Sequence, residues 1–258
     1  MGQTLIEALG NVTDLALGAA FDVAPCALIG RDAGERFGRA TGVTVGSDSA
    51  SAIGHADVLI DFTRPAGTMA HIATCAKAGV AAVIGTTGLS EQERRALGEF
   101  AKAIPIVFAP NMSVGVTVLT KLVELAAQRL GDGYDIEIVE MHHRHKVDAP
   151  SGTALKLGET AAVAAGRDLN ADGVFARHGV TGERRAGAIG FATLRGGDVV
   201  GDHTVIFAGD GERVELTHRA SSRMNFAQGA LRAARFVAAQ RVRRQVGLFD
   251  MQDVLGLR

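Results

Sequence analysis

Val80-Ala81-Ala82-Val83-Ile84 runs directly into Gly85-Thr86-Thr87-Gly88-Leu89-Ser90, and this passage decides the fold. Five successive apolar residues show no alternation, so both faces of the strand they form must be buried. Strands of that kind belong to parallel sheets covered by helices on each side. The Gly/Thr loop that follows leads into a helical stretch over 90–102. A strand, a short polar loop and a helix make one βα unit.

The same unit repeats on either side. Residues 15–21, 58–62 and 104–109 read as further strands. Residues 68–78 and 114–130 read as helices between and after them. The alternation predicts a Rossmann-like doubly wound parallel sheet. The middle of the chain differs. Residues 134–141 form a partly alternating strand, a polar loop follows, and a helix spans about 151–165. Residues 187–217 read as three strands, punctuated by Gly196-Gly197 and Gly209-Asp210-Gly211. A mixed sheet in a second, α+β domain is the natural reading. A helix over 226–240 and a short apolar tail close the chain.

Composition excludes several classes of function. A net charge of −1 offers no basic surface to nucleic acid or an anionic membrane. The basic run at 241–244 closes a predicted helix and reads as a solvated helix end. No apolar stretch reaches the roughly 18 residues of a membrane span. No basic segment leads into an apolar signal core. The two cysteines, Cys26 and Cys75, lack metal or redox spacing, so two free thiols in a reducing cytoplasm are expected.

Three groups of residues can carry chemistry. Asp22 closes the strand at 15–21, where a dinucleotide fold places a carboxylate for the adenosine ribose. A turn-forming aspartate is the alternative. Two loops, Gly85-Thr86-Thr87-Gly88 and Ala109-Pro110-Asn111-Met112-Ser113, sit at the C-terminal ends of parallel strands. Ligands of open α/β sheets bind there, and ordinary capped turns also occur there.

The third group is Glu140-Met141-His142-His143-Arg144-His145-Lys146-Val147-Asp148-Ala149-Pro150-Ser151-Gly152-Thr153. Five basic or imidazole side chains fall within five positions, and Ser151-Gly152-Thr153 then opens a helix. Free amides and hydroxyls at a helix start cradle a carboxylate or phosphate. A cationic loop beside such a cradle suits a dicarboxylate. Metal ligation fits least, because carboxylate or thiolate partners at ligand spacing are lacking.

These stretches resemble the motifs of the 4-hydroxy-tetrahydrodipicolinate reductases, as do Asp61-Phe62-Thr63-Arg64-Pro65, Gly190-Phe191-Ala192 and Ala220-Ser221-Ser222-Arg223. They occur in that family's order and cover nearly the whole chain. The resemblance implies an NAD(P)H-dependent reductase of a cyclic, unsaturated dicarboxylate in lysine and diaminopimelate biosynthesis. It implies His142 as general acid and Lys146 as catalytic lysine. His143, Gly152 and Thr153 would contact substrate carboxylates. Asp22, Gly85, Thr86, Thr87, Ala109, Pro110, Asn111 and Met112 would contact the cofactor. A homotetramer is implied, with no metal.

Two departures from the family pattern shape the expectations. The chain opens directly into a helix near Thr4, where the family has a first strand and a Gly-rich turn ahead of it. The expectation is therefore a dinucleotide domain without its first strand, over 1–113 and 224–258, with a substrate and oligomerisation domain over 114–223. A truncated form that assembles through its substrate domain but holds cofactor weakly is the alternative. Val23 follows Asp22 where many relatives carry a basic residue, so NADH is favoured over NADPH.

Overall fold

The computed structural model describes all 258 residues. They divide into two compact units, one of Met1–Val114 with Met224–Arg258 and one of Gly115–Arg223.

The first unit opens with helix α1 (Gly2–Leu9), whose last carbonyls receive Arg39. Strand β1 (Ala20–Phe21) pairs in parallel with β2 (Val45–Gly46). Helix α2 (Ser49–Gly54) is capped by the Asp48 side chain. Strand β3 (Val58–Asp61) leads to α3 (Pro65–Ala78), which begins at a proline and ends at left-handed Gly79. Strand β4 (Ala81–Ile84) leads to α4 (Glu91–Phe100), opened by a capping box between Ser90 and Glu93. Strand β5 (Pro105–Phe108) is the last of this run.

Helix α5 (Val114–Leu130) leads to the second unit's sheet. There, β6 (Asp135–His142) is followed by helices α6 (Gly152–Ala164) and α7 (Leu169–Asp172). Strands β7 (Gly173–Val174), β8 (Ile189–Arg195), β9 (Gly201–Gly209) and β10 (Glu212–Ala220) complete it. The chain then returns to the first unit through α8 (Met224–Val242), β11 (Gly247–Phe249) and α9 (Met251–Leu255).

The parallel sheet runs β11-β5-β4-β3. Its residues divide by parity. Ala81, Val83 and Val107 pack under α8, and Ala82, Ile84 and Ile106 pack against Ile72 and Cys75 of α3 and Leu97 of α4. This two-sided burial explains the unbroken apolar runs. Each large side chain so buried contributes about 1.5–3 kcal/mol.

The second sheet is mixed, in the order β10-β9-β6-β8-β7. Strand β6 runs parallel to β8 and antiparallel to β9. Ile136, Ile138, Val205 and Phe207 pack against Ala154, Leu157 and Ala161 of α6. That face of β6 also carries Glu140 and His142, because alternate residues share a face.

Several boundaries differ from the sequence reading. Of residues 15–21 only Ala20 and Phe21 are paired, since β2 offers only two partners. Helix α3 begins three residues earlier than expected, at Pro65, whose fixed φ suits a first turn. The closing tail forms β11 and α9, elements too short for a periodic signal. Arg241 is not merely a solvated helix end. It donates to the Gly79 carbonyl at 2.9 Å and to Asp57 at 2.8 Å, closing the end of α3.

Gly229 on α8 faces the backbone after β5 so closely that a Cβ would lie 1.7 Å from the Met112 carbonyl oxygen. A rigid backbone cannot yield there as a flexible side chain could. Gly229→Ala should therefore destabilise the protein by about 1–3 kcal/mol or more. Gly98→Ala on α4, where a Cβ meets nothing within 4 Å, should instead stabilise it by up to about 1 kcal/mol. Denaturant melts of both variants test this pair of signs, and a neutral Gly229→Ala would contradict the packing described.

Candidate active site

A dense polar cluster lies in the second unit, at the C-terminal end of β6. Glu140 is 1% exposed, a place that a carboxylate tolerates only with full hydrogen bonding. Arg195 grips it with both terminal nitrogens, each at 2.9 Å. Oε2 also faces His142 Nδ1 at 2.5 Å, and Oε1 accepts the Ser151 amide at 3.1 Å. Two partners on each oxygen fill all the acceptor positions of a carboxylate. Burial raises the Glu140 pKa, but the hydrogen bonds from Arg195 and His142 win, and it lies below its ordinary range.

An ionised carboxylate only accepts, so the neutral His142 ring must carry its proton on Nδ1. Nε2 then holds the lone pair and takes the second proton when the ring charges. His142 is 8% exposed, and burial pushes its pKa below the ordinary 6.5. Glu140 opposes that fall, while Lys146 and Arg195 add to it.

Strand register explains how these groups meet. Arg195 on β8 is directly opposite His142, and His203 on β9 is directly opposite Glu140. The His203 ring lies edge-on to His142, with centroids 5.1 Å apart. Its Nε2 lies 3.1 Å from Ser151 Oγ, and its Nδ1 is buried without a partner. Burial, followed by the neighbouring His142, pushes the His203 pKa down to about 4. Ser151 Oγ also accepts the Ala154 amide at 3.1 Å as the cap of α6. The helix start is thus held by Glu140 through its amide and by His203 through its hydroxyl.

The other expected residues of this unit lie around that core. Gly152 is exposed and Thr153 half-buried in the first turn of α6. Lys146 pairs with Asp148 at 2.8 Å, and Arg195 donates to the Asp148 carbonyl. His143, Arg144 and His145 line an open pocket of about 810 Å³ with Gly197, Asp198 and Arg223. Gly196-Gly197 does more than turn the chain, since it bonds back to His142 and Arg144 through the backbone.

The first unit gathers its expected residues at its strand ends. Asp22 is exposed just after β1, with Oδ1 accepting the Val23 amide at 2.8 Å. Thr86 is 1% exposed, and its hydroxyl is 2.6 Å from that of Thr68. Gly85 is buried beneath Phe62, whose ring would lie 2.2 Å from an added Cβ. A side chain at this position would have to displace that ring. Ala109 and Met112 are buried as well. Thr87, Pro110 and Asn111 are the exposed or half-buried members of the two loops. The buried Asp61 bonds His71 at 2.9 Å and the Thr63 amide at 2.7 Å, which fixes the end of β3.

Sequence reasoning assigned no role to Glu140, Arg195 or His203. Glu140 had a signal, since a charged residue two positions before His142 must share its face. The other two become neighbours only through the sheet register.

Sequence comparison fits this arrangement. Residues 1–112 match the family profile described as dihydrodipicolinate reductase, N-terminus, and residues 115–255 match that described as dihydrodipicolinate reductase, C-terminus. The chain belongs to the dihydrodipicolinate reductase family. The 4-hydroxy-tetrahydrodipicolinate reductase of Aromatoleum aromaticum is 59% identical over 258 residues, all of this chain and 92% of the relative. That of Polynucleobacter necessarius subsp. necessarius is 57% identical, over all of this chain and 96% of the relative. The dipicolinate-bound dihydrodipicolinate reductase from Paenisporosarcina sp. TG-14 superposes with a TM-score of 0.72 at 26% identity, covering 96% of this chain and 92% of that one. A probable dehydrogenase from Thermotoga maritima shares the fold alone, with a TM-score of 0.62 at 12% identity.

His203 has a consequence for stability in this family member. Its folded pKa of about 4 lies below the ordinary 6.5, so between these values the unfolded chain binds the extra proton. The His203 contribution to stability is then fully present above about pH 6.5 and is lost as pH drops toward 4. His142 shifts in the same direction. His203→Gln, which keeps a donor near Ser151, should flatten the fall of Tm between these pH values. Melting curves across this range that superpose in slope for the two proteins would contradict the assignment.

Proposed function

We propose that this chain reduces 4-hydroxy-tetrahydrodipicolinate to tetrahydrodipicolinate with NAD(P)H, in lysine and diaminopimelate biosynthesis. The observation that carries this reading is the Glu140–His142 pair placed beside a cationic loop and the start of α6. It combines an acid with a carboxylate cradle, in a chain 55–59% identical to reductases of this name.

The first unit is the dinucleotide domain in this proposal. The exposed Asp22 carboxylate and the accessible Thr87, Pro110 and Asn111 are suited to a nucleotide at the strand ends. Gly85, Thr86, Ala109 and Met112 shape those loops from within. The nicotinamide, when bound, supplies a hydride. The chain supplies the proton. Protonated His142 donates from Nε2 and keeps Nδ1–H on Glu140, so its charge leaves with the transferred proton. Lys146 offsets negative charge on the substrate, and the loop with His143 and the Gly152-Thr153 amides binds carboxylates.

The second unit is then the substrate and oligomerisation domain. Val139, Met141, Ala192 and Leu194 lie on the sheet face turned away from α6, with Ala192 and Leu194 exposed. A homotetramer would assemble on that face. No helix is long and apolar enough to cross a membrane. The free thiols of Cys26 and Cys75 suit a reducing cytoplasm.

Steady-state turnover of the purified protein tests the reading. His142→Gln should lower kcat by roughly 10²–10⁴-fold while changing substrate KM much less. Turnover unchanged by that substitution would remove His142 as the acid. Cofactor choice is a separate measurement. Asp22 offers a carboxylate to a ribose diol and would repel a 2′-phosphate, and Val23 provides no cation beside it. The kcat/KM should be higher with NADH, or similar for both cofactors, and a strong NADPH preference would contradict this.

A further inference from the structure

We propose that Glu140 is the positioning residue of this site: its carboxylate fixes the Nδ1–H tautomer of His142 and ties that ring to the first turn of α6. The inference rests on the proposed role of His142 for its catalytic consequence, but its geometry stands apart from that role.

Three observations point to it. The carboxylate is saturated by His142 Nδ1, the Ser151 amide and two Arg195 nitrogens, so it has no acceptor position left for substrate. It acts through other groups and does not touch the reacting atoms. Oε2 receives the imidazole and Oε1 receives the amide that begins the carboxylate cradle. The acid and the cradle therefore move as one body about a single side chain. Arg195 extends the tie, because it also donates to the Asp148 carbonyl in the loop that carries Lys146.

The charges around the ring make Glu140 necessary. Lys146 from the loop and Arg195 from β8 oppose a second proton on His142, and His203 from β9 covers its edge without a charge. Glu140 is the one anion in contact with the ring among these groups, and it alone favours the imidazolium. A neutral amide of the same shape can still accept the Ser151 N–H through its oxygen, but its NH2 then faces His142 Nδ1 and an Arg195 nitrogen, and the support of the anion is lost. The acid would then be charged only at lower pH.

The test is histidine ¹⁵N spectroscopy on the full chain, with His142→Gln used to assign the signal. In the unsubstituted protein the neutral ring should show Nδ1–H, and an Nε2–H tautomer there would overturn the proposal whether or not any variant folds. In Glu140→Gln the tautomer should become mixed, and the titration midpoint of His142 should fall by about one pH unit or more. Glu140→Asp, which retains the charge, should recover part of that shift.

The kinetic readouts separate positioning from simple damage. The fall of kcat with rising pH should move to lower pH in Glu140→Gln by the same amount, with activity recovered on acidification. Pyridine-2,6-dicarboxylate should still bind this variant, because the amide oxygen can go on accepting the Ser151 N–H that begins the cradle while an anion is removed near an anion site. Loss of rate at every pH, together with loss of pyridine-2,6-dicarboxylate binding, would make Glu140 only structural and overturn the proposal. An unchanged His142 midpoint would overturn it also. A midpoint that moves while the kcat profile does not would leave Glu140 as the positioning group and remove the acid role from His142.

Discussion

A carboxylate almost wholly withdrawn from water has to find its solvation in the protein. Glu140 does so with four contacts from three elements: β6, β8 and the start of α6. Removing any one leaves a buried charge short of a donor, which costs several times what an exposed ion pair contributes. The surrounding arrangement follows from that constraint. Strand β8 must stand beside β6 in the register that brings Arg195 opposite His142. Helix α6 must start where its Ser151 amide reaches Oε1. The loop from 143 to 150 is then confined between two fixed ends, with its cations displayed toward solvent rather than dispersed along a strand.

The sequence made the architecture legible wherever burial was continuous. Parallel strands covered on both faces left unbroken apolar runs at β4 and β5, β3 was apolar up to Asp61, and α5 carried its periodicity through all of Val114–Leu130. The elements that went unread were those of two to six residues, such as β2, α2, β7 and β11, for which no period can be established. Residues 15–19 illustrate another limit. They have strand-like composition, but strand identity resides in the ladder, and only Ala20 and Phe21 have partners.

The site divided along a similar line. His142, Lys146 and the start of α6 are contiguous in sequence, so their grouping could be read directly. Glu140 was adjacent and readable in principle, because alternation sets it on the buried face with His142. Arg195 and His203 lie 53 and 61 residues beyond His142, and only the pairing of β6 with β8 and β9 brings them in. Gly85 shows the opposite case. A glycine after a parallel strand suggests close approach of a ligand, yet here the close approach is by the Phe62 ring.

The two units apply one device to different ends. Each sets a buried carboxylate at the end of a strand and bonds it to a histidine: Asp61 to His71 in one, Glu140 to His142 in the other. Burial raises both carboxylates, and their donors hold both below the ordinary range. What differs is the place of the imidazole. His71 comes from the middle of α3, with the Phe21 ring edge-on at 5.0 Å, so the pair joins a helix to its sheet. His142 terminates the strand that carries its own carboxylate, beside the loop of Lys146. A pair between two elements lends its strength to packing. A pair within one strand adds little there, since the strand already fixes both backbones, and its free energy goes instead into the orientation and protonation of a single ring.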